Sequence, residues 1–373
     1  MHTLTATAAS SLSLPAENYI YTIAPSAPGR FAAISSDDSL RIFDAANLDR
    51  VSVISRKTHG AGVTSLRSYA AGESQLLATG GREGKVKLWD ARAGTAVAEM
   101  ETPRNAPVLS VACNPETNTI AAGTELVSSQ AVVAFWDIRS PQALRLQYVE
   151  SHNDDITEVS KLFPMEYQIP NPWPKIIRTN LTRTDGLVNV YDTTITDEDE
   201  ALVQVINHGS VHHAGFLSER TIYALSHDEL FSVHPATDPD DPAQDPEPVH
   251  FDDVREPLGC EYVVQLCVGA QGPYLAAGNK IEKRLDLIPL VSRPAWQFDQ
   301  ENLWRLPGAH GDEVVRSVYL DEQSQSVFTC GEDGFVRAWR PADAGDDDAQ
   351  AQAGSAKTSR PKDKKQKDRF KPY

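Results

Sequence analysis

The sequence predicts an all-β fold, a seven-bladed β-propeller. A segment of similar pattern recurs, with 46, 47 and 55 residues between its successive aromatic positions. Four of the five recognisable copies have the alternation of a strand with one buried face, and four follow an acidic residue suited to a hairpin turn. A repeat of this length built from strands and turns is typical of propellers, in which each unit forms a four-stranded blade against its neighbours.

Five copies of the pattern are identified directly. Each copy has two apolar residues separated by one other residue, and an aromatic residue follows the second apolar residue directly. The copies lie at positions 40–43, 86–89, 133–136, 188–191 and 336–339. An acid stands six residues before the aromatic in four copies, at Asp37, Glu83, Asp185 and Asp333, and glycine follows it in three. The acid can cap backbone N–H groups and the glycine accepts positive φ, so both favour a tight turn before the strand.

The spacing of the copies gives the number of blades. Tyr191 and Trp339 are 148 residues apart, about three periods, so two degenerate copies must lie between them. The candidates are residues 221–235 (TIYALSHDELFSVHP) and 274–289 (YLAAGNKIEKRLDLIP). The total is seven blades. We assign residues 1–341 to the propeller and residues 342–373 to a disordered tail, acidic first and then basic.

Closure of the ring is predicted from its two ends. After Trp339 the chain continues as PADAGDDD, which cannot form a strand, so the last blade lacks its outer strand. The stretch from Leu4 to Leu14 is the spare strand-forming segment. We expect it to pair with blade seven and close the ring, which would remove two exposed sheet edges.

Trp-Asp pairs end two of the copies, at positions 89–90 and 136–137, and the repeat extends over residues 17–341. In these features the chain resembles the WD-repeat superfamily, which implies a seven-bladed WD-repeat β-propeller. Two sets of four residues recur at nearly equal offsets: His310, Thr329, Asp333 and Trp339, and His59, Thr79, Glu83 and Trp89. In the superfamily such a set is a hydrogen-bonded chain within a blade. An active site is needed once and a blade contact in many blades, so we predict a structural role and no catalytic residue.

Other constellations also favour a protein that is not an enzyme. His208, His212 and His213 lack a carboxylate at ligand spacing, and the four cysteines are scattered, so we expect neither a metal nor a cofactor. The cysteines are expected to be small core residues. No run approaches 18 apolar residues, so we expect no membrane span. The sequence predicts a monomeric scaffold that binds proteins or peptides on a propeller face.

Arg92 and Arg139 each follow a Trp-Asp pair by two residues, giving W-D-x-R in two successive blades. This pattern resembles the docking signature of WD-repeat substrate receptors of cullin-RING ubiquitin ligases, in which the arginine reaches the adaptor. A substrate receptor is therefore the alternative function. Arginine is also common in the turn after the third strand, and four matched positions carry little information, so an ordinary exposed arginine is the competing interpretation.

Charge is distributed unevenly along the chain. The net charge is −17, but residues 357–371 carry eight Lys or Arg and two Asp, a balance of +6 that leaves −23 elsewhere. An acidic body repels nucleic acid, so weak RNA contact is expected from the tail alone.

The basic cluster of the tail predicts nuclear targeting, with the cytoplasm as a second location. Its residues are Lys362, Lys364, Lys365, Lys367 and Arg369. Residues 238–253, rich in proline and acid, predict an exposed, poorly ordered loop between blades, or a docking arm for a basic partner.

Several stretches are similar to the subfamily of WD repeat-containing protein 89, among them residues 121–140, 151–159, 184–193, 222–229 and 253–256. This resemblance implies a mostly nuclear scaffold without catalytic residues. Residues 161–183 depart from the pattern: they add about ten residues and carry Pro164, Pro170, Pro172 and Pro174. We expect blade four to be the least regular, with this stretch at most weakly strand-like, owing to a real insertion or an error in the gene model.

Overall fold

A computed structural model describes residues 1–70, 75–149, 154–161, 178–183, 186–237, 245–269, 271–293 and 295–341, the backbone alone for 161 and 178–183. Over these residues the chain is built from strands, numbered β1 (His2–Ser10) to β29 (Val336–Pro341). The helical elements are a 3₁₀ turn (Pro103–Asn105), α1 (Glu198–Ala201) and α2 (Arg255–Leu258). No helix in the described ranges is long and apolar enough to span a membrane.

Blades one to five are separate four-stranded antiparallel sheets, each in chain order. The strands of blades one and two are β2 (Ile20–Ala27), β3 (Arg30–Ser35), β4 (Leu40–Asp44), β5 (Val51–Ser55), β6 (Val63–Ser68), β7 (Leu76–Gly81), β8 (Lys85–Asp90) and β9 (Thr95–Glu101). Those of blades three to five are β10 (Val108–Asn114), β11 (Thr119–Thr124), β12 (Val133–Asp137), β13 (Leu144–Tyr148), β14 (Ile156–Lys161), β15 (Arg178–Arg183), β16 (Leu187–Asp192), β17 (Leu202–Asn207), β18 (Val211–Ser218), β19 (Thr221–Ser226), β20 (Leu230–Pro235) and β21 (Val249–Asp253).

Blades six and seven share one nine-stranded sheet. Their strands are β1, β22 (Tyr262–Gly269), β23 (Gly272–Asn279), β24 (Arg284–Val291), β25 (Gln297–Phe298), β26 (Trp304–Pro307), β27 (Val315–Asp321), β28 (Ser326–Gly331) and β29. Short β25 pairs with β24 beside the main path of the sheet. The two degenerate copies predicted from the sequence form the second and third strands of blades five and six, so the prediction of seven blades is confirmed.

The hydrophobic core is divided between the blades. Seven clusters of buried side chains are found, and each is shared by two adjacent blades, from blades one and two round to blades seven and one. Each sheet therefore buries both faces against its neighbours, and the last cluster, which joins Phe31 and Phe43 to Phe328, completes the circle. This cyclic packing is what makes the chain a propeller.

The predicted closure of the ring by the N-terminal strand is confirmed. β1 pairs antiparallel with β29, from Leu4 opposite Pro341 to Ser10 opposite Val336, and so supplies the fourth strand of blade seven. It also pairs in parallel with β26 through His2 and Thr3, which ties blade seven to blade six. The strand ends at Ser10 rather than at Leu14, because the chain turns at Leu12 and Ser13, where φ is 51° and 59°.

Every inner strand carries a β-bulge near its start. The bulges lie at residues 20–22, 63–65, 108–110, 156–158, 211–213, 263–265 and 315–317. A bulge adds one residue and increases the local twist of a strand. We call the end of the ring where the inner strands begin the upper face, and the end where they finish the lower face.

Two sequence predictions are wrong in part. Blade four has all four strands, with β14 and β15 paired from Ile156 opposite Arg183 to Lys161 opposite Thr179. The two ends of the 161–183 stretch are thus strands, since residues 178–183 (RTNLTR) alternate β-forming Thr and Leu with polar residues. Residues 162–177, with the four prolines, lie outside the described residues, and both explanations of the stretch remain predictions.

The acidic segment is the second correction. Residues 249–253 are not loop but β21, the outer strand of blade five, so the segment lies within a blade and not between blades. The reason is Phe251, whose ring lies 5.6 Å from that of Phe231 and 4.8 Å from that of Phe298. One aromatic anchor outweighs the unfavourable composition around it, while residues 238–244 lie outside the described part.

We predict that removing residues 1–15 lowers the melting temperature by at least about 5 °C, since roughly 1 kcal/mol shifts the midpoint of a large domain by 2–4 °C. The deletion exposes the edge of β29 and removes Leu4 and Leu12, which are 4% and 0% exposed. Differential scanning calorimetry measures the shift. Leu4→Asp should also be destabilising and Thr5→Asp, at the adjacent exposed position, should not. An unchanged transition in the deletion would contradict closure by β1.

Candidate functional site

The two predicted four-residue sets form hydrogen-bonded chains inside blades seven and two. His310 Nδ1 lies 2.7 Å from Asp333 Oδ1, His310 Nε2 lies 2.8 Å from Thr329 Oγ1, and Trp339 Nε1 donates to Thr329 Oγ1 at 2.9 Å. Because the Asp333 carboxylate can only accept, His310 Nδ1 donates to it, and Nε2 of the neutral ring then accepts the proton of the Thr329 hydroxyl. His59, Thr79, Glu83 and Trp89 repeat the chain at 2.7, 2.8 and 2.9 Å.

Burial keeps the hydroxyl of these chains from any substrate. Thr329 and Thr79 are each 0% exposed, and His310 and His59 are 2% and 1% exposed. Burial lowers the pKa of both imidazoles, although the neighbouring Asp333 and Glu83 act in the opposite direction. A neutral histidine and an enclosed hydroxyl can hold strands together but cannot attack a bound molecule.

The acid of each set also forms an ion pair with a basic residue, which the sequence analysis did not predict. In three blades the basic residue lies four positions after the acid: Asp37–Arg41 at 3.0 Å, Glu83–Lys87 at 3.9 Å and Asp333–Arg337. In blade one, which lacks the histidine, Arg41, Ser39 and Ser35 hydrogen-bond Asp37 and the pKa of this carboxyl is lowered to about 2, against the effect of burial. The signal was available, since the residue between the apolar pair is Arg, Lys and Arg in these copies.

Blade five carries a variant of the same chain. Ser232 Oγ lies 2.9 Å from His208 Nδ1 and 2.7 Å from His234 Nε2, so His234 stands where other blades have the aromatic. His208 thus belongs to this blade, whereas His212 and His213 lie at the channel. In the part of the chain that the structure describes, no group of three or more His, Cys, Asp or Glu is arranged to hold a metal ion.

A charged bridge crosses the central channel. Arg67 Nη2 of blade two donates to Glu158 Oε1 of blade four at 2.9 Å, and His213 Nδ1 of blade five lies 3.4 Å from the other carboxylate oxygen. Burial acts to raise the pKa of Glu158, but Arg67 and His213 outweigh it and the pKa is lowered. Next to them, the ring of His212 lies 4.2 Å from His213 and 5.0 Å from His227, and burial lowers the pKa of His212 to about 3.

Large apolar side chains stand exposed on turns of the upper face. Ile281, in the turn between the second and third strands of blade six, is 82% exposed. Leu126 and Phe335 occupy the corresponding turns of blades three and seven, and Tyr19 precedes the inner strand of blade one; these three are 36–39% exposed. The upper face therefore offers apolar contacts on turns held by a rigid ring.

Comparison with known proteins shows which family the chain belongs to. The family model described as "WD domain, G-beta repeat" matches residues 50–90 and 301–340, the two segments that contain both complete hydrogen-bonded sets. A WD repeat-containing protein of Schizosaccharomyces pombe is 33% identical over 280 residues, which cover 70% of this chain and 78% of the relative. The chain belongs to the WD-repeat family.

Two further relatives support the membership. A WD repeat-containing protein of Saccharomyces cerevisiae is 35% identical over 255 residues, 68% of this chain but 61% of the relative's own length. The WD repeat-containing protein 89 homolog of Dictyostelium discoideum is 22% identical over 323 residues, 84% of this chain and 80% of the homolog. The resemblance to the protein 89 subfamily noted from the sequence is thus found again, at low identity.

The two W-D-x-R arginines of this WD-repeat protein lie on the lower face of neighbouring blades, in different states. The guanidinium of Arg139 is held by Asp137, with Nε 2.9 Å from Oδ1 and Nη2 2.5 Å from Oδ2, and the pKa of Asp137 is lowered to about 2. Arg92 bonds Asp90 through its backbone N–H at 2.8 Å. The tail residues Lys362, Lys364, Lys365, Lys367 and Arg369 lie outside the described part.

The four cysteines, all within the described residues, form no disulfide. Cys113, Cys267 and Cys330 are buried and Cys260 is partly buried. Burial raises the pKa of Cys267 to about 12 and that of Cys260 to about 11, so both are protonated thiols at neutral pH. Their packing in the cores agrees with the role expected from the sequence.

We predict that His310→Ala destabilises the fold by ~1–3 kcal/mol, because it leaves Thr329 and Asp333 buried without their partner. Urea denaturation measures the loss, and His59→Ala should give a similar one. Val97→Ala, at a position on the outer strand β9 that is 54% exposed, is the control. Unchanged stability with loss of a biochemical activity would show that the set is not structural.

Stability should also fall as the pH is lowered from 7 to 5. Folding lowers the pKa of five histidines, namely His59, His208, His212, His234 and His310. Below about pH 6.5 the unfolded chain therefore binds more protons than the folded chain, and the free energy of unfolding decreases. His212, with a folded-state pKa of about 3, should contribute over the whole range. Denaturation at both pH values should therefore show a smaller decrease in His212→Asn than in wild type. An identical decrease would contradict the assignment.

Proposed function

We propose that this WD-repeat protein is a nuclear, non-enzymatic scaffold that holds protein partners on its upper face. The observation that carries the proposal is where the polar sets and the exposed apolar side chains lie: the first inside the blades, the second on the upper face. The described His, Thr and acid side chains that resemble a catalytic set are buried in blades two and seven, while exposed apolar side chains lie on the turns above. Single exposed apolar residues are ordinary, but a set on one rigid face is typical of an interaction surface.

The ring supports binding because its surface is already ordered. Loops held by a rigid scaffold lose little conformational entropy when a partner binds, which favours affinity. A WD-repeat propeller is a member of a family of interaction domains, and the cyclic core of this chain keeps the turns of all seven blades in fixed relative positions.

The basic tail supports the nuclear part of the proposal. Eight Lys or Arg within residues 357–371 form the kind of short basic cluster that serves as a nuclear address. The remaining charge of −23 opposes binding of nucleic acid to the body. RNA contact is therefore proposed for the tail alone, and proteins for the propeller.

We predict that Ile281→Asp reduces recovery of partners from cells, since Ile281 is 82% exposed on the upper face. Affinity purification with quantitative mass spectrometry compares it with wild type and with Val97→Asp, a control on the outer strand β9 that is 54% exposed. Partners should decrease at least about threefold with the first variant and stay unchanged with the second. Equal recovery from all three proteins would contradict upper-face binding.

The alternative function is a substrate receptor of a cullin-RING ubiquitin ligase. Its supporting observation is that Arg92 and Arg139 end the third strands of adjacent blades on the lower face, with exposed side chains. Arg139 would have to exchange Asp137 for the adaptor. If the chain has this function, the same purification should recover ligase adaptor subunits with the wild-type protein. These subunits should be absent from the purification of the double variant Arg92→Ala and Arg139→Ala.

Removing residues 355–373 should shift a fluorescent fusion from the nucleus to the cytoplasm without changing the melting temperature, because the cluster of basic residues is lost and the propeller is left intact. Replacing the five residues Lys362, Lys364, Lys365, Lys367 and Arg369 by Gln should have the same effect. Quantitative imaging measures the nuclear fraction. A full nuclear signal in both variants would contradict targeting by the tail.

A further inference from the structure

The lower face has a groove at the mouth of the channel, between blades six, seven and one. Its volume is about 450 Å³, within the range of pockets that bind small ligands or side chains. The apolar walls come from Pro25 of blade one, Val268 of blade six and Tyr319 of blade seven. Inner strands that are more than 240 residues apart in the sequence thus form a single surface.

The walls of the groove are rigid on one side and accessible on the other. Tyr319 packs its ring 5.1 Å from that of Phe31, which lies 4.7 Å from Phe328 in the core between blades seven and one. Val268, in contrast, is 55% exposed, although it is a large apolar residue at the end of an inner strand. An apolar side chain placed beside Val268 would bury it against a preformed aromatic wall.

The rim of the groove is acidic. Asp321 and Glu322 follow β27 at its lower end, and the residues that line the groove, all of them described, include no Lys, Arg or His. Burial raises the pKa of Tyr319, and the Asp321 and Glu322 carboxylates beside it add to the increase. The Tyr319 hydroxyl makes no hydrogen bond to the described residues, which leaves a polar group on the wall for a ligand. The groove therefore combines apolar walls with negative charge at one end.

We propose that this groove binds a short segment of a partner protein in which an apolar or aromatic side chain stands next to Lys or Arg. The apolar side chain packs against Pro25, Val268 and Tyr319, and the cation faces Asp321 and Glu322. Charge complementarity selects this occupant, because the Asp321 and Glu322 carboxylates at the rim would repel an acidic segment. The inference rests on the proposed scaffold function but places this contact on the lower face, so the two can fail separately.

A peptide-display selection on the full-length protein tests the proposal. The probe is a library of random 12-residue peptides, and the selected peptides are measured by fluorescence anisotropy. We expect an apolar or aromatic residue beside Lys or Arg to be enriched. Asp321→Asn with Glu322→Gln should weaken binding by about three- to tenfold, the range expected for two exposed ion pairs.

Val268→Lys should weaken binding of the same peptides at least about tenfold, because it places a cation and a long side chain in the groove. Val97→Lys is its matched control, since Val97 is a strand valine of almost equal exposure, 54% against 55%, on the outer rim of blade two. Ile281→Asp on the upper face should leave peptide binding unchanged. If Ile281→Asp abolishes it and Val268→Lys does not, the scaffold function stands and the lower groove is wrong.

Other results would overturn the proposal. No enriched peptide, or an acidic consensus, would show that the groove does not select this chemistry. The chain itself carries an aromatic residue between two cations, Phe370 with Arg369 and Lys371. If Phe370→Ser raises the affinity for the peptides, the occupant is the tail and not a partner. A dimer in sedimentation that Val268→Lys dissociates would assign the groove to a second copy.

Discussion

The structure depends on one constraint, that each blade can bury its two faces only against its neighbours. Seven inter-blade cores follow one another round the ring, and no blade has a core of its own within the described residues. A gap at any junction would leave two sheet faces in water. The junction between blade seven and blade one is therefore decisive, and β1, which directly precedes blade one in the chain, closes it by pairing with β29 of blade seven.

Function follows from what the ring leaves at its two ends. Inside the blades, His, Thr and acidic side chains hydrogen-bond each other and tie the strands together, as His310, Thr329 and Asp333 do. Across the channel, Glu158 joins Arg67 and His213. The turns above and the groove below remain for other molecules. The proposed scaffold makes its contacts on these two separate faces.

The sequence predicted most of the fold because the repeat is local. A pattern such as residues 86–89 (VKLW) needs no distant information, and Trp89, Trp136 and Trp339 mark their strands. The chain of His208, Ser232 and His234 was missed because its hydroxyl lies on the third strand of the blade instead of the second and because a histidine replaces the aromatic residue. β21 was missed because its one anchor, Phe251, lies among acids and prolines. The lower groove could not be foreseen, since Pro25, Val268 and Tyr319 meet only after the ring closes.

Hydrogen–deuterium exchange of the full chain tests the central claim, closure by β1, most directly. Backbone amides protected by sheet pairing exchange through local or global opening, so their rates report the stability of each strand. Closure predicts that the amides within residues 4–10 that hydrogen-bond to β29 exchange slowly, as those of β29 do, while the alternate amides of this edge strand exchange faster. Rapid exchange of residues 4–10, at the rate of an unstructured peptide, in a protein whose other blades stay protected would contradict the account.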